Sequence, residues 1–388
     1  MNFRPSNRRF GATIHSRREF VAGAVLGSVS LAAGIGCASS SHPASAAKDT
    51  TPRSARKTLG VALLGLGGYS ESQLGPALKL TRHCELRGIV TGSPDKVETW
   101  RDEYGIPAEA VYDYESFPRI ADNPSIDVVY VVTPTALHAK YAILAARAGK
   151  HVWCEKPMAM NVDECQAIID ACRANRVSLS IGYRMHHEPN TQTVVQLGRD
   201  KPYGAIRSVR AIAGDRNKGE PTWRMDPTMG GGALYDMGVY AINAIRYSTG
   251  EEPLRVTAAR QWADRPELFH SVDENTEFEL ALPSGAVGHG KASRNDNTNK
   301  LRIEAERGWY ELEPMQTYEG VEGKTSDGKA LDKKIENQQA RQMDDDALAI
   351  LEGRAPMAPG EEGLRDVRII QAIQRAAKTG EPVDLVRS

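Results

Sequence analysis

Short, largely apolar runs alternate with amphipathic stretches through the first half of the chain. Leu59–Leu64, Glu85–Val90, Asp127–Val132, Lys150–Cys154 and Val177–Gly182 read as strands. A continuous apolar run is the pattern of a parallel strand covered on both faces. Tyr69–Leu80, Ala139–Ala148 and Asn161–Asn175 carry apolar residues at helical spacing. Strand, helix, strand, helix without interruption predicts a doubly wound parallel sheet.

After Gly182 the pattern changes to apolar–polar alternation, at Ile206–Ala213, Leu254–Trp262, Thr276–Leu282, Ala286–Ala292 and Leu301–Ala305. That period predicts a second, largely antiparallel sheet. Gln338–Leu351 and Gly363–Ala377 read as closing helices, and the polar Glu319–Lys334 stretch as an exposed loop. The expected organisation is a parallel-sheet domain over 58–182 and an α+β domain over 183–388, which would hold substrate and make oligomer contacts.

Residues 1–47 do not read as fold. Ser16-Arg17-Arg18-Glu19-Phe20 resembles a twin-arginine export signal, with an apolar run from Val21 to Gly36 behind it. At 16 residues that run is short and glycine-rich for a membrane span. Ala44-Ser45-Ala46 fits a cleavage site, with 48–57 left as a linker, so the expected partner is the twin-arginine machinery and the expected location the periplasm. Cys37 as a lipid-anchored residue is the alternative, disfavoured because Gly34 stands where such a signal wants an aliphatic side chain.

Composition adds mainly exclusions. The 388 residues are 40% hydrophobic and 26% charged with a net charge of -1, an ordinary globular balance. Such neutrality gives no electrostatic footprint for nucleic acid. The five cysteines lack metal or disulfide spacing, and Cys165 and Cys172, two helical turns apart, read as packing residues. His186-His187, without ligand spacing, reads as surface or pocket lining.

Two junctions carry chemistry. The strand Leu59–Leu64 runs into Gly65-Leu66-Gly67-Gly68-Tyr69-Ser70, where glycines permit a tight turn and let backbone N–H groups approach a pyrophosphate. Ser70 replaces the usual third small residue. The second strand ends in Thr91-Gly92-Ser93-Pro94-Asp95-Lys96. Hydroxyls and a cation there suit a ribose 2′-phosphate, favouring NADP over NAD, with Asp95 the counter-argument. The other junction is Cys154-Glu155-Lys156-Pro157. Pro157 cannot continue a sheet ladder, so Glu155 and Lys156 stand at the carboxyl end of a strand, where open α/β sheets keep their ligand crevice. A lysine there can act as acid, base or donor to a substrate oxygen. On the tripeptide alone, a solvated ion pair closing an edge strand fits as well.

These residues together resemble the glucose–fructose oxidoreductase family, within the Gfo/Idh/MocA oxidoreductases. The likeness runs from about Leu59 to Val383. It rests on the glycine turn, Cys154-Glu-Lys156-Pro-Met, Ile181-Gly-Tyr-Arg184, Trp223-Arg224, the Gly230 run with Asp236-x-Gly-x-Tyr240, and Pro359 to Gln371. The resemblance implies an N-terminal Rossmann doubly wound parallel sheet with a C-terminal, mostly antiparallel open-faced sheet domain. It implies NADP-dependent hydride transfer on a sugar, with Lys156 and Tyr240 as the catalytic pair and Asp236 orienting them. Thr91, Ser93, Lys96 and Tyr114 would line the 2′-phosphate side. Pro134, Thr135, Leu137 and His138 would lie by the nicotinamide, and Glu155, Arg184, Trp223 and Arg224 would touch cofactor or substrate. A homo-oligomer, dimer or tetramer, is expected. One departure is the short Lys48–Lys57 segment, where the best-known relative carries a long proline-rich arm over its cofactor. An NAD-dependent glycoside hydrolase and a non-catalytic nucleotide sensor are the competing readings. Lys156 with Tyr240 weighs against the sensor.

Overall fold

Leu59–Leu64 forms strand β1, buried at all six positions. In this computed structural model, which describes residues 58–217 and 222–385, β1 is central to a parallel sheet. The sheet also contains β2 (Cys84–Val90), β3 (Val111–Tyr112), β4 (Val128–Val131), β5 (His151–Cys154) and β6 (Leu179–Ile181). Its order is β3-β2-β1-β4-β5-β6, so the winding reverses between β1 and β4. A crevice opens at the carboxyl ends of strands flanking such a reversal. Gly65, Val132 and Glu155 follow β1, β4 and β5 directly, and the backbone N–H groups of Val132 and Glu155 donate to Leu64 and Val131. The export signal, Cys37 and the 48–57 linker lie outside the described residues.

Helix α1 is the first departure from the pattern. The expected helix from Tyr69 to Leu80 is a π-helical turn, Ser70–Leu74, followed by α1 (Gly75–Leu78). Pro76 has no N–H to donate to the carbonyl four residues earlier, so a regular ladder cannot run through it. Helices α2 (Val97–Tyr104), α3 (His138–Arg147) and α4 (Val162–Ala174) follow. Asn161 caps α4 by accepting from the Glu164 N–H at 2.9 Å, while Glu164 accepts from Met160 N–H at 3.1 Å.

Beyond α5 (Pro189–Asp200) the second sheet begins with β7 (Ile206–Gly214), and α6 (Val239–Thr249) packs on it. The sheet continues through β8 (Arg255–Trp262), β9 (Asn275–Ala281), β10 (Val287–Ser293), β11 (Asn299–Ala305), β12 (Gly308–Leu312), β13 (Gly323–Thr325), β14 (Ala330–Leu331) and β15 (Val383–Asp384). The order is β14-β13-β12-β11-β7-β10-β9-β8-β15, antiparallel except for β7 beside β10. Two strands fall inside the expected Glu319–Lys334 loop. Val321, Thr325 and Leu331 there are buried, and elements of two or three residues are too short to show a period of two.

The last helices return to the first sheet. On α7 (Gln338–Glu352), Ala340, Met343 and Ala347 share a core with Leu63, Ile89 and Trp153. Helix α8 (Gly360–Thr379) packs on α4, β6 and β8. His186 and His187 are both buried rather than on the surface. Tyr183 and Tyr247 flank the His186 ring, and its Nε2 meets Asn243 Oδ1 at 2.9 Å.

Candidate active site

The glycine turn is built for close approach. Gly65 has φ +102°, and a Cβ there would come within 2.9 Å of the Val132 carbonyl. Gly67 and Gly68 are exposed, and a Cβ on either would meet nothing. Leu66 is buried behind them, and Ser70 Oγ donates to Gly65 O at 2.6 Å, closing the turn from inside. Ser70 thus does with a hydroxyl what a third small residue does by size. An uncovered backbone turn ahead of a helical segment fits a pyrophosphate. Tyr69 stands 6.0 Å, ring to ring, from Tyr318, a partner the sequence did not suggest.

At the β2 tip, Thr91 is buried and its Oγ1 accepts from Ser93 N–H at 3.0 Å. The Tyr114 ring lies against Gly92, where a Cβ would come within 2.8 Å of it, and stacks on Tyr141 at 5.0 Å. Lys96 reaches back across the crevice mouth. Its Nζ donates to Leu66 O at 2.7 Å and to Glu71 Oε1 at 2.6 Å. The cation expected to meet a 2′-phosphate is therefore beside the glycine turn, already paired with a carboxylate.

Past β4, Pro134 and Leu137 are half-buried, while Thr135 and His138 are fully covered. Thr135 underlies the second glycine run, since a Cβ on Gly230 would come within 2.7 Å of it. Both ring nitrogens of His138 lie on main-chain carbonyls, Nδ1 on Pro157 O at 2.9 Å and Nε2 on Thr133 O at 2.8 Å. Burial pushes this imidazole below its ordinary pKa against those two contacts. His138 ties the β4 loop to the β5 loop, which is a positioning role.

At the end of β5 the ion pair is not a solvated one. Glu155 is buried and accepts from the Tyr130 hydroxyl at 2.7 Å. Burial holds its carboxyl above the usual range, partly offset by Tyr130 and Lys156. The Lys156 ammonium crosses to the other domain. It donates to Asp236 O at 3.0 Å, lies 3.9 Å from Asp236 Oδ1, and sits 4.5 Å from the Tyr240 ring centroid.

Asp236 belongs to a π-helical turn, Leu234–Gly238, and Tyr240 to the first turn of α6. Single π turns are common at functional sites. Burial alone would raise the Asp236 carboxyl, but Arg224, Lys156 and Arg294 beside it hold it below the usual range. Arg224 Nε and Arg294 both donate to Asp236 Oδ2 at 2.9 Å. The glycine run makes this possible, because a Cβ on Gly231 would lie 2.5 Å from Arg224 O. Trp223 is half-exposed with the Arg224 guanidinium 4.6 Å from its ring. Arg184 is buried. It donates to Thr317 O at 2.8 Å and to Gln338, and its guanidinium lies 5.6 Å from the Tyr240 ring and 4.7 Å from that of Tyr318. Arg294 escaped the sequence reading, since it directly follows a strand, β10, with no motif around it.

The comparisons decide the family. Residues 59–183 match the pattern described as "Oxidoreductase family, NAD-binding Rossmann fold", and residues 191–311 match the GFO/IDH/MocA C-terminal domain. The crystal structure of aldose-aldose oxidoreductase from Caulobacter crescentus is 39% identical, with a TM-score of 0.81 over 84% of this chain and 100% of that one. The chain belongs to the Gfo/Idh/MocA oxidoreductases. Curated members of that family among its relatives include D-xylose 1-dehydrogenase [NADP(+)] of Haloarcula marismortui, 27% identical over 84% of this chain and 92% of its own. D-xylose 1-dehydrogenase (NADP(+)) 2 of Haloferax volcanii is 29% identical over 83% and 98%. The Gfo/Idh/MocA fold accounts for both sheets described above.

Proposed function

We propose that this protein is an NADP-dependent sugar oxidoreductase that moves hydride between a sugar C–OH and a tightly held nicotinamide, recycling it between two sugars. The observation that carries the reading is the Lys156 ammonium, fixed by Asp236 from the other domain and set over the Tyr240 ring. The likeness to an aldose-aldose oxidoreductase and to NADP-dependent xylose dehydrogenases supports the substrate class and the cofactor.

When bound, the nicotinamide supplies the hydride acceptor and donor. Gly65, Gly67 and Gly68 would hold its pyrophosphate, with Thr91, Ser93, Lys96 and Tyr114 on the 2′-phosphate side. The chain's own residues handle the proton. Of the three N–H donors on Lys156, one is engaged by the Asp236 carbonyl, so others can polarise the reacting hydroxyl. Tyr240 takes that proton as the carbinol carbon loses hydride, and returns it when a second sugar is reduced. Asp236 keeps the lysine in place.

The export signal supports cofactor retention, because twin-arginine export carries folded, loaded proteins and free NADP is scarce outside the inner membrane. Retention through nanomolar dilution needs about 12 kcal/mol of binding. The test is to purify the mature protein from periplasm without nucleotide, identify what denaturation releases by mass spectrometry, and titrate with an aldose. A stoichiometric rise in reduced-nicotinamide absorbance, reversed by a second sugar, is expected. A protein that arrives empty and turns over only with millimolar NADP refutes the recycling cycle.

A further inference from the structure

A trio, buried at His187 and Asp346, lies where the Arg184–His187 turn meets α7. One ring nitrogen of His187 and one carboxylate oxygen from each of Asp345 and Asp346 all lie within 4.8 Å of one another, and His187 Nδ1 is 3.9 Å from Asp345 Oδ2. His187 is 7% exposed and Asp346 1%. Each carboxylate is pinned through one oxygen only. Arg354 donates to Asp345 Oδ1 at 2.6 Å, and Ser180 Oγ donates to Asp346 Oδ1 at 2.6 Å. The other oxygens, Asp345 Oδ2 and Asp346 Oδ2, are buried and receive no hydrogen bond among the described residues. One helical turn earlier on the same face, Gln342 Oε1 is also a buried acceptor without a donor.

Several bare acceptors gathered in one buried place want a cation, because a carboxylate without partner or solvent costs several kcal/mol. Arg354 answers one negative charge and leaves the second. We propose that His187, Asp345 and Asp346 bind one divalent transition-metal ion, with Zn²⁺ the best suited. One imidazole and two monodentate carboxylates make the three-protein-ligand set that such an ion accepts, and the donors, within 4.8 Å of one another, need to close to roughly 3.3 Å to share one tetrahedral centre. Arg354 and Ser180 act as the outer partners that orient the carboxylates.

The ion's place in the molecule gives it a structural task. Along the same face of α7, Gln338 accepts from Arg184 and Gln342 donates to the Tyr130 hydroxyl, which holds Glu155. Metal at the Asp345–Asp346 end would lock α7 to the turn that carries Arg184, behind Tyr240. His187 lies far from Asp345 and Asp346 along the chain, so no local spacing signals the site.

The experiment uses the mature full-length protein, dialysed against a chelator, desalted, and titrated with Zn²⁺ under metal analysis and thermal denaturation. One equivalent retained after desalting, with a raised Tm, is expected. His187→Phe and Asp345→Asn should abolish retention, and Ser180→Ala should weaken it roughly 10-fold. Asp345 is part-exposed, so Asp345→Asn keeps the test meaningful should His187→Phe fail to fold. Retention no greater than in Asp345→Asn overturns the proposal.

Discussion

The two sides of the crevice are built differently. On the catalytic side, Asp236 is 8% exposed and is approached by three cations from separate segments, Lys156, Arg224 and Arg294. On the cofactor side, Lys96 and Glu71 meet with 30% and 46% of their side chains exposed, and Gly67 and Gly68 are bare. Charges gathered in a buried place hold one geometry, because any other leaves one of them unpaired. A solvated ion pair contributes little and rearranges freely. The groups around Asp236 are therefore set before ligand arrives, whereas the Lys96–Glu71 edge can reorganise around what it binds.

The largest effects are expected where that contrast is sharpest. Lys156→Ala and Tyr240→Phe should each lower kcat roughly 10²-fold, the scale of a lost positioned acid or base, with nucleotide binding retained in Tyr240→Phe. Steady-state kinetics with an aldose decides this, and near wild-type turnover by Tyr240→Phe removes the phenol as proton carrier.

Arg294→Met tests whether the cluster is preorganised from behind. It removes one of three cations on Asp236 and should destabilise the fold by about 2 kcal/mol, less than stripping a buried charge of its sole partner. Denaturant unfolding reads the loss, and a drop in kcat with KM unchanged would show that Asp236 orients Lys156.

On the solvated side, Lys96→Ala should weaken NADP roughly 10-fold and leave NAD nearly untouched, since only NADP presents a 2′-phosphate. Glu71→Gln should shift the two affinities the opposite way, by less, because the carboxylate now competes for the same ammonium. Equal effects on both nucleotides, by equilibrium titration, would place Lys96 outside the recognition site.

The smallest effect concerns pH. The Glu155 carboxyl is raised by burial, so the folded state binds its proton more tightly than the unfolded chain does. Its stabilisation is complete below the ordinary glutamate pKa and is lost as pH rises through the folded value. Glu155→Gln cannot ionise, so its Tm relative to wild type should climb as pH rises above the ordinary glutamate range. A constant difference there means Glu155 titrates normally.

Both sheets were legible because their periods are local properties. Apolar runs such as Leu59–Leu64 and Val128–Val132 read as doubly covered strands, and alternation at Thr276–Leu282 as a sheet with two unlike faces. The π turns were not legible. Ser70–Leu74 and Leu234–Gly238 look helical by composition, and the shift in their ladders depends on Pro76 in one case and on packing around Gly238 in the other. Of the site, the glycine turn, Lys156, Asp236 and Tyr240 could be named from motifs.

Their environment could not. That Thr135 and His138 face inward, that Arg184 lies buried behind two tyrosines, and that Arg294 completes the Asp236 cluster depend on segments far apart in the chain. The sequence by itself determined which residue types stand at the carboxyl ends of β1, β2, β4 and β5, because strand ends and turns follow from neighbours a few positions away. Only the tertiary structure decided which charges meet, because burial and Coulombic contact depend on distance in space, and no period or spacing encodes it.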